Sequence, residues 1–296
     1  MDALFNLPDF IAGRGVYTTL VDYSQQAKDF LLPNTGIACV YGNFPSCIWN
    51  GGGINVNGSW TKPQIQELIE FYNYGLHIPL RFTFTNPLID ERHLNDTYSN
   101  MIAECGHNGM NEILTSSPVL EKYLREKYPK YKFCRSIIGA RDQAVDFSDK
   151  YYLSVCQRRM NNNWEFLESI PEEKRHKIEF LCTDPCPDNC PRLYTHYRDF
   201  ARAQLEYLPG TPECACSMNE VKGIFSHKYM HGLETYISRE MIDKDYLPRG
   251  FNQFKISGRA SAMGGIMGAL NYMVNPEYRD DALSAFVAAS YHDNSI

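Results

Sequence analysis

The chain has 296 residues, 44% hydrophobic and 22% charged, with a formal net charge of −6. That length suits one large core, such as an α/β barrel of about 250 residues, or two smaller domains. The acidic balance argues against holding nucleic acid by broad phosphate neutralisation, and no apolar run approaches the roughly 20 residues that a membrane helix needs.

In chain order, the first residues lack the basic-then-apolar order of a secretion signal. Ten cysteines in such a chain read as reduced thiols or metal ligands rather than disulfides, which places the protein in the cytoplasm. Residues 1–35 read as an N-terminal extension packed on the domain formed by 36–296. Ile37 to Tyr41 is a short apolar strand. The Gly-rich loop Trp49 to Gly53 follows and reads as a flexible cover over a barrel mouth, with Trp49 as its lid; without a following Lys-Ser/Thr it is weak as a phosphate loop. Lys62 to Tyr74 has helical spacing at Ile65, Leu68, Ile69 and Tyr72. His77 to Phe84 is a strand, and Glu91 to Cys105 a helix. Glu112 to Thr115 is a strand leading through Ser117-Pro118, a helix start, into Val119 to Tyr128.

Strands continue at Lys132 to Ile138, Tyr151 to Cys156 and Ile178 to Cys182. Helices follow at 194–208 and Tyr236 to Tyr246, then the strand Gln253 to Ser257, and two C-terminal helices, Ala262 to Met273 and Pro276 to Ser290. Repeated β-α units of about 20 to 40 residues imply a parallel sheet under helices. Seven or eight strands fit a closed (β/α)8 TIM-type barrel better than an open sheet. Neither GxGxxG after the first strand nor GxxxxGK[ST] occurs, which removes support for those nucleotide folds.

The most informative stretch opens at Phe180-Leu-Cys-Thr-Asp-Pro-Cys-Pro-Asp-Asn-Cys-Pro191. A strand stops at a prolyl turn that presents Cys186 and Cys190, and Cys214-Ala-Cys216 follows after one helix. Cys186, Cys190, Cys214 and Cys216 form a four-thiolate set suited to a [4Fe–4S] cluster or to tetrahedral zinc. Cys182 belongs to the barrel wall and stands as a reserve ligand. Cys39, Cys47, Cys105, Cys134 and Cys156 read as small buried hydrophobes, with Cys39 and Cys47 able to approach the mouth. His227 and His231 have i, i+4 spacing but lack the Glu of HExxH, so a zinc protease of that type is not supported.

Three stretches together resemble the peptidase U32 family: Glu112 to Pro129 with Lys132-Phe-Cys-Arg-Ser136, Ile178 to Cys190, and Gly250-Phe-Asn-Gln-Phe-Lys-Ile-Ser-Gly-Arg259. Tyr278-Arg279 adds a further similar dipeptide. The last long stretch is the most specific, being close to the family's G-x-x-x-F-K-I-E-G-R. The resemblance implies a TIM-type barrel and, for many members, oxygen-independent hydroxylation of RNA or of a quinone ring with a [4Fe–4S] cluster on four cysteines; others are described as collagenase-like proteases. The chain departs from the pattern at Thr183-Asp184, where the family has His-Gly, and in the close spacing of Cys214 and Cys216.

The resulting expectation is an iron–sulfur enzyme acting on a small molecule or a nucleic-acid base, with an electron donor as partner. The alternative is a zinc-stabilised barrel with a hydrolase or ligand-binding role. Lys255 and Arg259 close the last strand. A cation facing inward there needs an anion, so they either grip an anionic ligand as catalytic groups or pair with a barrel acid. Asn86, Ser116 and Ser136 fall at strand ends, where they either bind substrate or cap the following turns.

Overall fold

The computed structural model describes residues 1–53, 55–139, 143–186, 190–208, 231–258 and 262–293. Eight parallel strands close into a barrel in chain order: β1 (Ala3–Pro8), β2 (Thr35–Gly42), β3 (Leu80–Phe84), β4 (Glu112–Thr115), β5 (Lys132–Arg135), β6 (Leu153–Val155), β7 (Ile178–Leu181) and β8 (Gln253–Lys255). β8 closes on β1 through Leu4 opposite Gln253 and Asn6 opposite Lys255. This is the (β/α)8 TIM-type architecture expected from the alternation of units. The boundary at residue 35 is different from expectation. Residues 1–35 hold β1 and the helix α1 (Arg14–Gln26), so this stretch supplies the barrel's first unit rather than an extension packed on it.

The strands are short and buried on both faces. Ala3, Phe5 and Leu7 alternate along β1 and are fully buried in the main core, against the surrounding helices. Phe5 contacts the rings of Phe254 and Tyr272. Removing side chains of this size from water stabilises the fold by roughly 1.5–3 kcal/mol each. Leu114, Cys134, Leu153, Val155 and Leu181 form a separate, smaller cluster inside the barrel, as the two-residue period of strands requires.

The helices follow local chemistry. α2 (Lys62–Glu70) opens on a capping box between Thr61 and Gln64 with proline in its first turn. α3 (Thr97–Cys105) begins later than the apolar spacing suggests, because the Asp96 carboxylate accepts from the Ser99 amide at 2.7 Å and fixes the start there. α4 (Pro118–Lys127) is capped by Ser117, whose hydroxyl oxygen accepts from the Leu120 amide at 3.2 Å. The β5 and β6 units are abbreviated: a 3-10 turn at Ile137–Gly139 and a short helix α5 (Trp164–Glu168) replace full helices. After β7 comes α6 (Leu193–Leu205), and a helical run from Arg239 to Arg249 precedes β8. Finally α7 (Ala262–Tyr272) and α8 (Arg279–Asp293) pack on each other and on α1.

The Gly-rich loop after β2 is not a cover over the mouth. Trp49 is fully buried, its indole nitrogen donates to the His93 carbonyl at 3.0 Å, and its ring meets Phe84 edge-on. Gly51 explains the glycine content in part: a Cβ there would overlap the Thr85 carbonyl, so the loop lies against the end of β3 only without a side chain.

Inside the N-terminal half of the barrel sits a knot of charge. Arg81, fully buried, donates to Glu112 Oε2 at 2.7 Å, to Glu179 Oε2, and to Asn6 Oδ1 at 3.1 Å. The Cys39 thiol donates to the same Asn6 oxygen at 3.0 Å, and Cys134 lies 3.5 Å from Glu112 Oε2. Burial alone would lower the Arg81 pKa, but Cys39, Glu179, Cys134 and Glu112 around it hold it well above the ordinary value. Burial pushes the Cys39 and Cys134 thiols well above theirs, so both are neutral fillers here. No described helix is long and apolar enough to cross a membrane.

Candidate functional site

Barrels of this type keep their chemistry at the C-terminal ends of the strands, where loops of differing sequence converge on one mouth. The loops after β6, β7 and β8 are joined there by polar contacts. Asn161, after β6, donates to the Leu181 carbonyl at 2.9 Å and to the Thr235 carbonyl at 2.7 Å. Thr183, after β7, accepts from the Ser257 amide after β8 at 2.8 Å.

Arg158 organises the centre of this region. It is 2% exposed and follows β6, where it pairs with both carboxylate oxygens of Asp184 at 3.0 Å and donates to the Tyr197 hydroxyl at 2.7 Å. Among the described residues its Nε has no hydrogen-bond partner. Burial would lower its pKa, yet Tyr197, Asp184 and Cys186 together raise it, so the guanidinium is a fixed charge. Asp184 in turn accepts from the Cys186 amide at 3.0 Å, which fixes the turn that carries the first cysteine.

Cys186 and Cys190 are both half-buried. Burial, with the Asp184 carboxylate, pushes the Cys186 thiol up to about 11; the neighbouring Arg158 works against that rise, and a charge on Cys190 would add to it. Cys186 therefore sits at the end of β7 beside a cation, with Cys190 close enough for its charge to act on it. Cys214, Cys216 and Arg259 lie outside the described residues, as does His227. Among the described residues no three His, Cys, Asp or Glu side chains converge as metal ligands. Cys182 is fully buried in the wall, its amide donating to the Lys255 carbonyl at 2.9 Å. His231 shares a 2.8 Å hydrogen bond with the Tyr236 hydroxyl.

Lys255 ends β8 inside the mouth. It is 7% exposed, and its ammonium stands 3.9 Å from the centre of the Tyr41 ring, a desolvated cation–π contact. The Tyr41 hydroxyl is tied to the Ile256 carbonyl at 2.6 Å, which holds that ring in place. Asn86 is fully buried and its amide bridges loops: it donates to the Ile48 and Ala201 carbonyls at 3.1 and 3.0 Å and accepts from the Leu88 amide at 2.9 Å. Ser136 is buried and accepts from the Ile138 amide at 3.2 Å, at the start of the 3-10 turn. Ser116 donates to the Thr85 carbonyl at 2.8 Å and lines a cleft of about 200 Å³ at the mouth.

The helix α6 crosses this mouth. Tyr197, near its start, touches Arg158 after β6, while Ala201 meets Asn86 after β3. Gln204, near its end, donates to the carbonyls of Cys47 and Asn55, both at 3.0 Å, and Tyr207 just beyond reaches Ser46. β2 and β6 stand on opposite sides of an eight-stranded ring, and the seven-residue advance from Tyr197 to Gln204 covers about 10 Å along the helix, with the side chains of Arg158 and Gln204 reaching the rest. α6 is therefore a strap from one side of the mouth to the other. Sequence reading found neither the strap nor Arg158; the signal for the latter was a second arginine at a strand end with an aspartate in the next strand's loop.

The barrel is similar to the solved structure of the U32 peptidase Mk0906, with a TM-score of 0.53 and 11% identity, over 88% of this chain and 93% of that one. At that identity the likeness establishes a shared fold. No family model matches the sequence, and no curated protein matches it either.

Proposed function

We propose that the chain is a divergent U32-type barrel protein that binds a [4Fe–4S] cluster at its C-terminal mouth through Cys186, Cys190, Cys214 and Cys216. It uses the cluster for redox chemistry, oxygen-independent hydroxylation in particular, on a small molecule or a nucleic-acid base. The observation that carries this reading is the placing of Cys186 and Cys190 together at the end of β7, half-buried and beside the fixed charge of Arg158. The donor chemistry fits. Four thiolates around such a cluster leave net negative charge, and a buried guanidinium against the first of them offsets it. A bound cluster would supply one-electron transfer, exchanged with an electron-donor partner.

The protein's own residues take the remaining roles. Asp184 fixes the turn carrying Cys186, Arg158 holds Asp184, and α6 limits access of water to the mouth. Lys255 is the cation for an anionic ligand, with Arg259 as its partner in that task. Anaerobic purification followed by iron and sulfide analysis and EPR is the test. Four irons per chain, lost when any of the four cysteines becomes alanine, supports the reading; a colourless, iron-free protein after reconstitution ends it.

A second reading gives the same thiolates to structural zinc, in a barrel that hydrolyses or binds another ligand. The Arg158–Asp184 pair favours it to the extent that it pins the cysteine turn as a structural element. One equivalent of zinc without iron would select this alternative.

A further inference from the structure

The first two turns of α6 carry Tyr194, Tyr197 and Arg198, at i, i+3 and i+4, which is one face of a helix. That face overhangs the ends of β4 and β5, and with Ser116, Ile138 and Gly139 below it bounds the cleft of about 200 Å³. Its floor is tight. A Cβ on Gly139 would come within 2.9 Å of the Ser116 carbonyl oxygen, so glycine there keeps the two strand ends close.

The chemistry of the walls is specific. Arg198 is exposed and its side chain makes no ion pair or hydrogen bond among the described residues, whereas Arg158, on the turn after β6, is bonded to Asp184 and Tyr197. A guanidinium at the edge of a cleft is a fork for one carboxylate. The two tyrosines supply ring faces, and Ser116, whose proton goes to Thr85, keeps its oxygen as an acceptor. The size sets a further limit. A closed cavity of about 150 Å³ takes one benzene ring, and pockets for larger ligands begin near 300 Å³. A cleft of this volume accommodates one ring with a carboxylate, and a nucleoside would extend beyond its walls.

We propose that this cleft binds a small aromatic acid of one ring, its carboxylate on Arg198 and its ring against Tyr194 and Tyr197. The proposal deepens the reading of the mouth as the working face, because Tyr197 is bonded to Arg158 and Arg158 touches Cys186. A ligand in the cleft thus stands two side chains from the thiols.

The test is calorimetric titration of the purified full chain with benzoate, with benzyl alcohol as the neutral match and adenosine monophosphate as the larger anion. The expected result is saturable binding of benzoate, weakened at least tenfold in Arg198→Ala and less in Arg198→Lys, with benzyl alcohol at least tenfold weaker than benzoate. Arg198 is exposed, so both variants keep the parent's melting curve. Absence of saturable benzoate binding, or unchanged affinity in Arg198→Ala, overturns the proposal; tighter binding of the nucleotide overturns the size assignment and with it the ligand class. The titration needs no metal, whereas the cluster reading stands or falls on iron content, so the two failures are separable.

Discussion

Two buried arginines divide the barrel. Arg81, in the N-terminal half, is enclosed by Glu112, Glu179 and Asn6 and sits among neutral thiols. Arg158, at the C-terminal mouth, is almost as buried, yet among the described residues one of its nitrogens has no hydrogen-bond partner, and its neighbours belong to loops and to the strap α6. The first arrangement joins four strands, β1, β3, β4 and β7, deep inside the barrel, where among the described residues the buried Glu179 Oε1 is left without a hydrogen bond. The second joins the loops after β6 and β7 to α6 around a cysteine turn. The difference shows where this fold places its charge: below, in holding strands together; above, in fixing the loops that carry the cysteine turn.

The comparison breaks most visibly at Arg81. Arg81→Ala leaves two carboxylates buried without their cation, and the expected loss is about 3–5 kcal/mol in chemical denaturation; restoring stability by adding Glu112→Gln and Glu179→Gln would show that the unpaired charge caused it. Arg158→Ala is expected to cost about 2 kcal/mol, since a charge-assisted pair is lost but Asp184 can reach water. The same variant should push the alkylation midpoint of Cys186 higher still than its value of about 11, because Arg158 is the group that opposes the rise. A midpoint that stays put would mean that the two regions do not differ in kind.

A pH series sharpens the contrast in the metal-free protein. Cys186 has a folded pKa above its ordinary value of 9.0, so its contribution to stability is complete below pH 9 and is lost as pH rises toward about 11. Cys47 and Cys156, pushed up to about 12 mainly by burial, extend that loss further into alkali. Iodoacetamide trapping with mass spectrometry should find Cys186 modified in the folded protein in this window, while Cys39 and Cys134 react only after unfolding. Smallest of all, Ser117→Ala, remote from both arginines, removes one helix cap and should cost about 1 kcal/mol by denaturation, with no change in Cys186 reactivity.

Much of the architecture was legible because most strands are apolar runs between turn residues. Glu112–Thr115 and Ile178–Leu181 fall where the sequence pattern puts them. β1 was not legible as a strand because Asn6 interrupts it. That asparagine turns into the barrel to meet Arg81, and the signal was the alternation of Ala3, Phe5 and Leu7 on the other face. The same logic applies to the charge knot. Arg81, Glu112 and Glu179 each stand inside an otherwise apolar strand, and opposite charges buried in separate strands have to find each other. Their partners are 31 and 98 positions apart, which no local pattern can supply. Trp49 misled for a different reason. Its neighbouring glycines suggested looseness, whereas they allow close approach to the end of β3. Of the mouth, the sequence offered the cysteine turn and Lys255; the strap and Arg158 depend on contacts between loops far apart in the chain.

The diagonal course of α6 has a consequence for traffic. With a helix laid from the β6 rim to the β2 rim, the direct route down the axis is crossed, and guests reach the mouth from its sides, one end first. A free metabolite can do this as it is. A residue within a polymer would have to be everted from its strand before it could enter, so selection by shape operates before any chemistry begins.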